Sequence, residues 1–185
     1  SSTQFAALSA TQVRSLTSTQ IEDLDAADVA EFTTTQIAGL ATTQVRDLNE
    51  TAIGALDSTQ LAALTTTQIK SLTTTNLVAL ADTQIAALTT TQISNLATTQ
   101  VAALETSNVA ALTSTQIGAL TPALLTSLTS TNFAQFDETQ IGGITTTQMR
   151  ALSTTQIANI DADQVAAFST TQLTQLSATQ IRSVS

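Results

Sequence analysis

The sequence is a single octapeptide repeated without interruption. It contains 23 copies with one residue over, and no insertion or deletion breaks the count. The consensus is T-T-T-Q-I-x-x-L, as written in Thr65–Leu72. Such a strict period constrains the fold more than length or composition, because every copy must form a similar unit that buries its apolar side chains against neighbouring copies. Positions are numbered one to eight, with the leucine at position eight.

Two positions of the octapeptide are always apolar. Position five is apolar in all 23 copies, and position eight is apolar in all 23 and Leu in 17. A strand would put two residues separated by three on opposite faces, whereas one helical turn puts them on the same face. A continuous helix fails, because eight residues rotate the apolar stripe by roughly 80° per copy. The pattern therefore predicts a short helix of six or seven residues, followed by a break, in each octapeptide.

Polar residues at positions one and four mark where each helix begins. Position one is usually Ser, Thr, Asp or Asn, and position four is Gln in 17 of 23 copies. A hydroxyl followed three residues later by Gln predicts a capping box, in which each side chain bonds the backbone N–H of the other. The chain's one proline, Pro122, stands at position two, where the first helical turn accepts proline. The predicted caps include Thr33, Gln36, Thr65, Gln68, Thr89 and Gln92; the predicted core includes Ile69, Leu72, Ile85, Leu88, Ile93 and Leu96.

The alternative fold is a β-solenoid in which the Thr-rich octapeptides are the rungs. Threonine and isoleucine favour strands. Five glycines in 185 residues are too few to supply the turns of such rungs, and Leu, Ala and Gln favour helices. Helices are therefore preferred.

The fold class predicted is an all-α solenoid of 23 very short helices, three per turn, shaped as a triangular prism. Two large side chains per octapeptide suffice to fill the narrow interior of such a prism. A 24-residue superperiod supports it, because the copies that lack Gln at position four fall in only two of three possible phases. We expect residues 1–185 to form one continuous array, cut from a longer one.

The composition argues against catalysis and against several classes of partner. There is no His, Cys, Tyr or Trp, so no catalytic, cofactor or metal residues are predicted. Asp25 with Asp28, and Asp161 with Asp163, resemble hard-cation ligands but are more simply helix caps with first-turn acids. A net charge of −9 with five scattered cations disfavours nucleic acid, and no apolar run is long enough for membrane insertion.

The units Thr34–Leu40 and Thr90–Leu96 carry a resemblance to a known sequence type. They resemble the TTQ-I-x-x-L octapeptides of very long bacterial repeat proteins that are described as adhesin-like or as haem-utilisation exoproteins. The resemblance covers the whole chain and implies an extracellular or cell-surface location. Haem ligation would need a residue such as His, Cys, Met or Tyr, and Met149, the sole candidate, stands at a core position.

Two functions follow from these observations. The first is a non-enzymatic structural module, a stiff stalk or spacer whose partners are adjacent repeats of the parent chain. The second is a binding module that presents a repetitive Thr-rich or acidic face to a carbohydrate, a surface or ice. Position three is Thr in 19 of 23 copies, and an ordered hydroxyl face would require these side chains to be exposed.

Overall fold

The computed structural model describes residues 3–184, and the side chains of residues 5–184. The part of the chain it describes is all-α, with 23 helices of four to six residues and no strand. The predicted all-α solenoid of very short helices is confirmed, and the β-solenoid alternative is wrong. The helices are slightly shorter than the six or seven residues expected, because position eight lies outside the helix and position seven often does as well. Residues 1, 2 and 185 of the predicted array lie outside the described residues.

The chain forms two compact units, which divide between Asn95 and Leu96. The helices of the first unit are α1 (Thr3–Ala6), α2 (Ala10–Arg14), α3 (Ser18–Glu22), α4 (Ala26–Ala30), α5 (Thr34–Gly39), α6 (Thr42–Asp47), α7 (Glu50–Ala55), α8 (Ser58–Ala63), α9 (Thr66–Ser71), α10 (Thr74–Val78), α11 (Asp82–Ala87) and α12 (Thr90–Ser94). The helices of the second unit are α13 (Thr98–Ala102), α14 (Thr106–Ala110), α15 (Ser114–Ala119), α16 (Pro122–Ser127), α17 (Ser130–Phe133), α18 (Glu138–Gly142), α19 (Thr146–Ala151), α20 (Thr154–Ala158), α21 (Ala162–Ala167), α22 (Thr170–Leu173) and α23 (Ala178–Arg182).

Within each unit a helix packs on the helix three places further along the chain. In the first unit the three stacks are α2–α5–α8–α11, α3–α6–α9–α12 and α4–α7–α10. In the second unit they are α13–α16–α19–α22, α14–α17–α20–α23 and α15–α18–α21. Three octapeptides therefore make one turn, and the turn repeats every 24 residues.

The corner between α9 and α10 is made by two extended residues. Leu72 has φ −55° and ψ 137°, and Thr73 has φ −67° and ψ 159°. Many helices end on a residue with positive φ, which is usually Gly. Among the described residues no residue has a positive φ. A corner of this type tolerates ordinary side chains, so the chain can turn after every octapeptide with only five glycines.

The core consists of the apolar residues at positions five and eight. Ile69 is 0% exposed and Leu72 is 3% exposed, and the other core residues named from the sequence (Ile85, Leu88, Ile93 and Leu96) are all buried. Phe133 and Phe136 occupy the same two positions and lie with ring centroids 5.0 Å apart. The core is therefore a column of one inward-facing pair per octapeptide.

Glycine is required where two helices of a stack approach closely. A Cβ on Gly143 would lie 2.4 Å from the carbonyl oxygen of Ser114 in α15. A Cβ on the adjacent Gly142 would meet nothing within 4 Å. The Gly142–Gly143 pair therefore combines one residue that permits close stacking with one that is free to vary.

Candidate functional site

The recurrent polar site of this protein begins with the helix caps. In Thr65–Leu72 the Thr65 backbone N–H donates to Oε1 of Gln68 at 2.7 Å, and the Gln68 N–H donates to Oγ1 of Thr65 at 3.3 Å. Thr33 with Gln36, and Thr89 with Gln92, make the same pair of bonds. One amide oxygen and one hydroxyl thus satisfy two of the N–H groups that a helix start leaves without partners.

The same glutamine has a second contact, with the preceding turn. Gln68 Nε2 donates to the carbonyls of Ile37 at 2.9 Å and of Leu40 at 2.8 Å, four octapeptides earlier. These carbonyls belong to the C-terminal end of α5, at the corner directly one turn below the start of α9. A helix C-terminus leaves carbonyls without intrahelical donors. One primary amide therefore satisfies the start of one helix and the end of another. We call this arrangement the glutamine clamp.

The glutamine clamp recurs along both units. Its Nε2 donates to carbonyls near positions five to eight of the octapeptide four places earlier, and its side chain is buried. In the first unit the clamps are Gln36, Gln44, Gln60, Gln68, Gln84 and Gln92. In the second unit they are Gln140, Gln148, Gln156, Gln164, Gln172 and Gln180.

Where glutamine is missing, other side chains take over part of the clamp. Position four of the seventh octapeptide is Ala52, and the position-one residue Asn49 acts instead. Asn49 Nδ2 donates to the carbonyls of Glu22 at 2.8 Å and Leu24 at 2.9 Å, while its Oδ1 accepts from Ala52 N–H at 2.8 Å. The shorter Asn76 makes one bond downward, from Nδ2 to the carbonyl of Leu48 at 2.8 Å.

Sequence reasoning missed the downward bonds of these amides. It assigned Gln68 only to its own cap, and it did not single out Asn49 as the replacement at a glutamine-free octapeptide. A signal was available: a capping box accepts either Glu or Gln at this position, yet the chain uses Gln 17 times and never Glu. Only the neutral amide can accept through oxygen and donate through nitrogen at once.

The carboxylate pairs singled out from the sequence serve as caps. Asp25 Oδ1 accepts from Asp28 N–H at 2.9 Å, and Asp161 Oδ1 accepts from Gln164 N–H at 2.8 Å. Asp163 lies exposed in the first turn of α21. Over residues 3–184 no group of three or more His, Cys, Asp or Glu residues is placed to hold a metal ion.

An acidic groove lies beside the glutamine-free octapeptides of the first unit. It is lined by Asp23, Leu24, Asp25, Asn49, Glu50, Thr51, Thr75 and Asn76. Both N–H groups of the Asn49 amide are bonded to backbone carbonyls, and the Asn76 amide donates one bond to the carbonyl of Leu48. The groove is a consequence of short side chains at position four on this edge.

Position-three threonines lie on the outside of the solenoid. Thr35, Thr67 and Thr91 are exposed, and the same holds for the described threonines at this position throughout both units. Met149 is fully buried in α19, inside the core column. No helix within the described residues has the length and apolar character to cross a membrane.

Comparison with known proteins identifies the repeat. The family model of the ALTTAQ repeat matches residues 37–74, 90–122 and 141–178, together more than half of the chain. No curated protein matches the chain. The matched segments contain the same capped octapeptides and glutamine clamps as the rest of the two units, and the chain therefore belongs to the ALTTAQ repeat family.

Proposed function

We propose that this chain is a non-catalytic structural module, a stiff spacer within a surface or secreted adhesin-like bacterial protein. The observation that carries the proposal is the glutamine clamp. It uses the chain's most frequent buried polar side chain to join one turn to the next. Membership of a repeat family supports a structural module, and the resemblance of the octapeptides supports the adhesin-like context.

The clamps resist bending because they lie at the corners of the prism. Bending opens one edge, and an opened edge separates a buried amide from its carbonyl acceptors. A buried polar group without a partner costs about 1–3 kcal/mol. Each clamp also bonds the start of its own helix, so the turn above cannot tilt without disturbing its cap. Resistance of this kind is distributed along the axis, as a spacer requires.

The clamps are also electrically neutral. Ion pairs between exposed side chains weaken as salt screens them, over a Debye length of about 3 Å at 1 M ionic strength. Bonds from an amide to a carbonyl carry no net charge and are not screened in this way. We therefore expect the stiffness of the spacer to be nearly independent of ionic strength.

Small-angle X-ray scattering of the 185-residue protein tests the proposal. The expected result is the profile of an elongated rod whose cross-section and length stay constant between about 0.05 and 1 M salt. A rounded particle, or a profile typical of a flexible chain, would refute the spacer. Thr67→Ala changes one exposed side chain at position three and should leave the scattering profile unaltered.

A second candidate function is binding through the threonine faces. The favouring observation is the exposure of the position-three hydroxyls. On the outer face formed by α14, α17 and α20, the residues at positions two, three and six are all uncharged: Thr106, Ser107, Ala110, Ser130, Thr131, Ala134, Thr154, Thr155 and Ala158. This face presents hydroxyls and methyl groups together, which suits ice or a crystalline polysaccharide.

Two measurements test the binding function. Ice recrystallisation inhibition and thermal hysteresis report contact with ice, and co-sedimentation with an insoluble polysaccharide reports carbohydrate contact. Thr131→Asp places a charge in the middle of the face and should abolish whichever activity is present. Absence of both activities in the unmodified protein would eliminate this candidate and leave the spacer proposal untouched.

A further inference from the structure

The corners that join two successive turns of the first unit are not equally bonded. Gln68 and Gln84 each donate three hydrogen bonds to carbonyls of the turn below. Asn76 lies at the corner between them, where α10 begins, and its Nδ2 donates one bond, to the carbonyl of Leu48 at 2.8 Å. We call it the Asn76 corner. It has fewer bonds to the turn below than either neighbouring corner.

The bonds missing from the Asn76 corner are those that a full clamp would make. A glutamine clamp bonds the carbonyls 28 and 31 residues earlier, which for Asn76 are those of Leu48 and Val45. No side-chain amide of the described residues bonds the carbonyl of Val45. The N–H of Thr73 also has no side-chain acceptor within residues 3–184, because Asn76 Oδ1 accepts from the Thr73 hydroxyl at 2.8 Å instead. The shorter amide therefore leaves one backbone donor and one backbone acceptor without the clamp.

The acidic groove runs along the same corner and leaves it open to solvent. Thr75 and Asn76 of α10 line the groove together with Asn49, Glu50 and Thr51 of the turn below. The charged side chains of the groove are exposed, so solvent screens their repulsion and it contributes little. Water that enters the groove can bond backbone groups released by an opening, which lowers the cost of that opening. Fewer bonds and easier access for water thus coincide at one corner.

We propose that the Asn76 corner is a hinge of the first unit, at which two successive turns separate before they separate at the neighbouring corners. Opening at Asn76 breaks one bond to the turn below and releases groups beside a solvent-filled groove. Opening at Gln68 breaks three such bonds and leaves the carbonyl of the buried Leu40 without a donor. Regions that open locally are those with the fewest buried bonds, so the first opening is expected at Asn76.

The hinge gives the proposed spacer a preferred direction of bending, and this consequence rests on the spacer function. The corners that begin α9 and α11 are held by the clamps of Gln68 and Gln84, so they stay closed while the Asn76 corner opens. The two turns then tilt about the line that joins the closed corners. A spacer built in this way resists bending towards two of its corners more weakly than it resists bending towards the third, and the direction is set by one amide.

Amide hydrogen exchange measured for single residues by nuclear magnetic resonance tests the hinge. Leu77 in α10 and Ile69 in α9 form a matched pair, since both are 0% exposed and their N–H groups donate to the carbonyls of Thr73 and Thr65 at 3.0 and 2.9 Å. Helices this short have no independent stability, so each frays when its corner opens. With at least two bonds fewer at Asn76, the Leu77 amide should exchange roughly ten- to a hundredfold faster than the Ile69 amide. Equal rates in the unmodified protein would overturn the proposal.

Two reciprocal substitutions show whether the length of the amide controls the opening. Asn76→Gln restores the missing donor and acceptor and should slow exchange of the Leu77 amide to the rate of the Ile69 amide. Gln68→Asn requires no additional space and should accelerate exchange of the Ile69 amide roughly tenfold or more, relative to the amide of Leu61 in α8, which reports on global unfolding. An unchanged ratio of the Ile69 and Leu61 rates in Gln68→Asn would contradict the hinge.

Distances between spin labels test the direction of bending. The chain has no cysteine, so a pair of introduced cysteines carries the only labels. Ala27→Cys with Thr75→Cys spans two turns across the Asn76 corner, and Thr43→Cys with Thr91→Cys spans two turns along α6, α9 and α12; all four positions are exposed. The first pair should give the broader distance distribution, and equal widths would overturn the hinge. A rod that is equally stiff on every edge would still satisfy the scattering test, so the spacer and the hinge fail separately.

Discussion

Gln68 offers the sharpest test of the glutamine clamp. Substitution with alanine removes the acceptor of the Thr65 N–H and the donor to the carbonyls of Ile37 and Leu40. It changes neither the core residues nor the corner backbone. We expect Gln68→Ala to destabilise the fold far more than a lost helix cap does.

The magnitude follows from what each group retains after the substitution. The cap bond and the bond to Ile37 contribute about 1 kcal/mol each, and the Ile37 carbonyl keeps the Leu40 N–H as a donor at 3.2 Å. The Leu40 carbonyl has no other donor among the described residues and lies in a buried residue, so its loss costs about 1–3 kcal/mol. The total is roughly 3–5 kcal/mol.

Gln12→Ala is the matched control. Gln12 closes the same capping box through Oε1 but has no carbonyl acceptor below it within residues 3–184, so only the cap is lost, at about 1 kcal/mol. Urea unfolding followed by far-ultraviolet circular dichroism measures both variants. The slope of the unfolding free energy with urea should be unchanged, since a changed slope would indicate that unfolding is no longer a two-state transition.

The difference between the two variants isolates the contact between turns, and we expect it to be roughly 2–4 kcal/mol. Equal costs, within about 0.5 kcal/mol, would show that the amide contributes only as a cap and would refute the clamp as the link between turns. In that case stacking would depend on the apolar column alone.

Four further substitutions probe the same architecture by urea unfolding. Gly143→Ala should destabilise the fold by roughly 1–3 kcal/mol because its Cβ would meet the Ser114 carbonyl at 2.4 Å. Gly142→Ala, whose Cβ would meet nothing within 4 Å, should stabilise the fold by about 0.5–1 kcal/mol. Equal changes in stability for the two variants would contradict the close approach at Gly143. Asn49→Ala should lower the free energy of unfolding by roughly 2–4 kcal/mol, since one cap bond and two bonds to the turn below are lost. An unchanged free energy of unfolding would contradict the role of Asn49 as a replacement clamp. Asn76→Gln should stabilise by about 0.5–2 kcal/mol by restoring a full clamp, and a loss of stability would show that this corner has no room for the longer side chain.

Much of the fold was predictable because its determinants are local. The spacing of Ile69 and Leu72 predicts one helical turn, and Thr65 with Gln68 predicts where that turn begins, since both relations span only three residues. Successive apolar residues are separated alternately by three and by five residues, and this spacing excludes a continuous helix. Counting the octapeptides that lack glutamine also indicated the 24-residue turn, because such substitutions fall on only two of the three edges of the solenoid.

The contacts between turns depended on the tertiary structure. The partners of Gln68 lie 28 and 31 residues away, and which carbonyls they are depends on the rise and rotation of each corner. No sequence pattern states those angles. For the same reason the sequence could not show that Asn49 replaces the missing clamp, or that Gly143 and not Gly142 faces the helix below.

The sequence by itself thus determined the unit: a capped turn of helix with two inward side chains, repeated without interruption. Only the tertiary structure decided how one unit holds another, through an amide whose oxygen serves its own helix and whose nitrogen serves the helix below. The physical reason is the range of the forces involved. Helix capping is satisfied within three residues of one chain segment, whereas the carbonyl ends of a helix find their donors only after a complete turn has brought a later octapeptide above them.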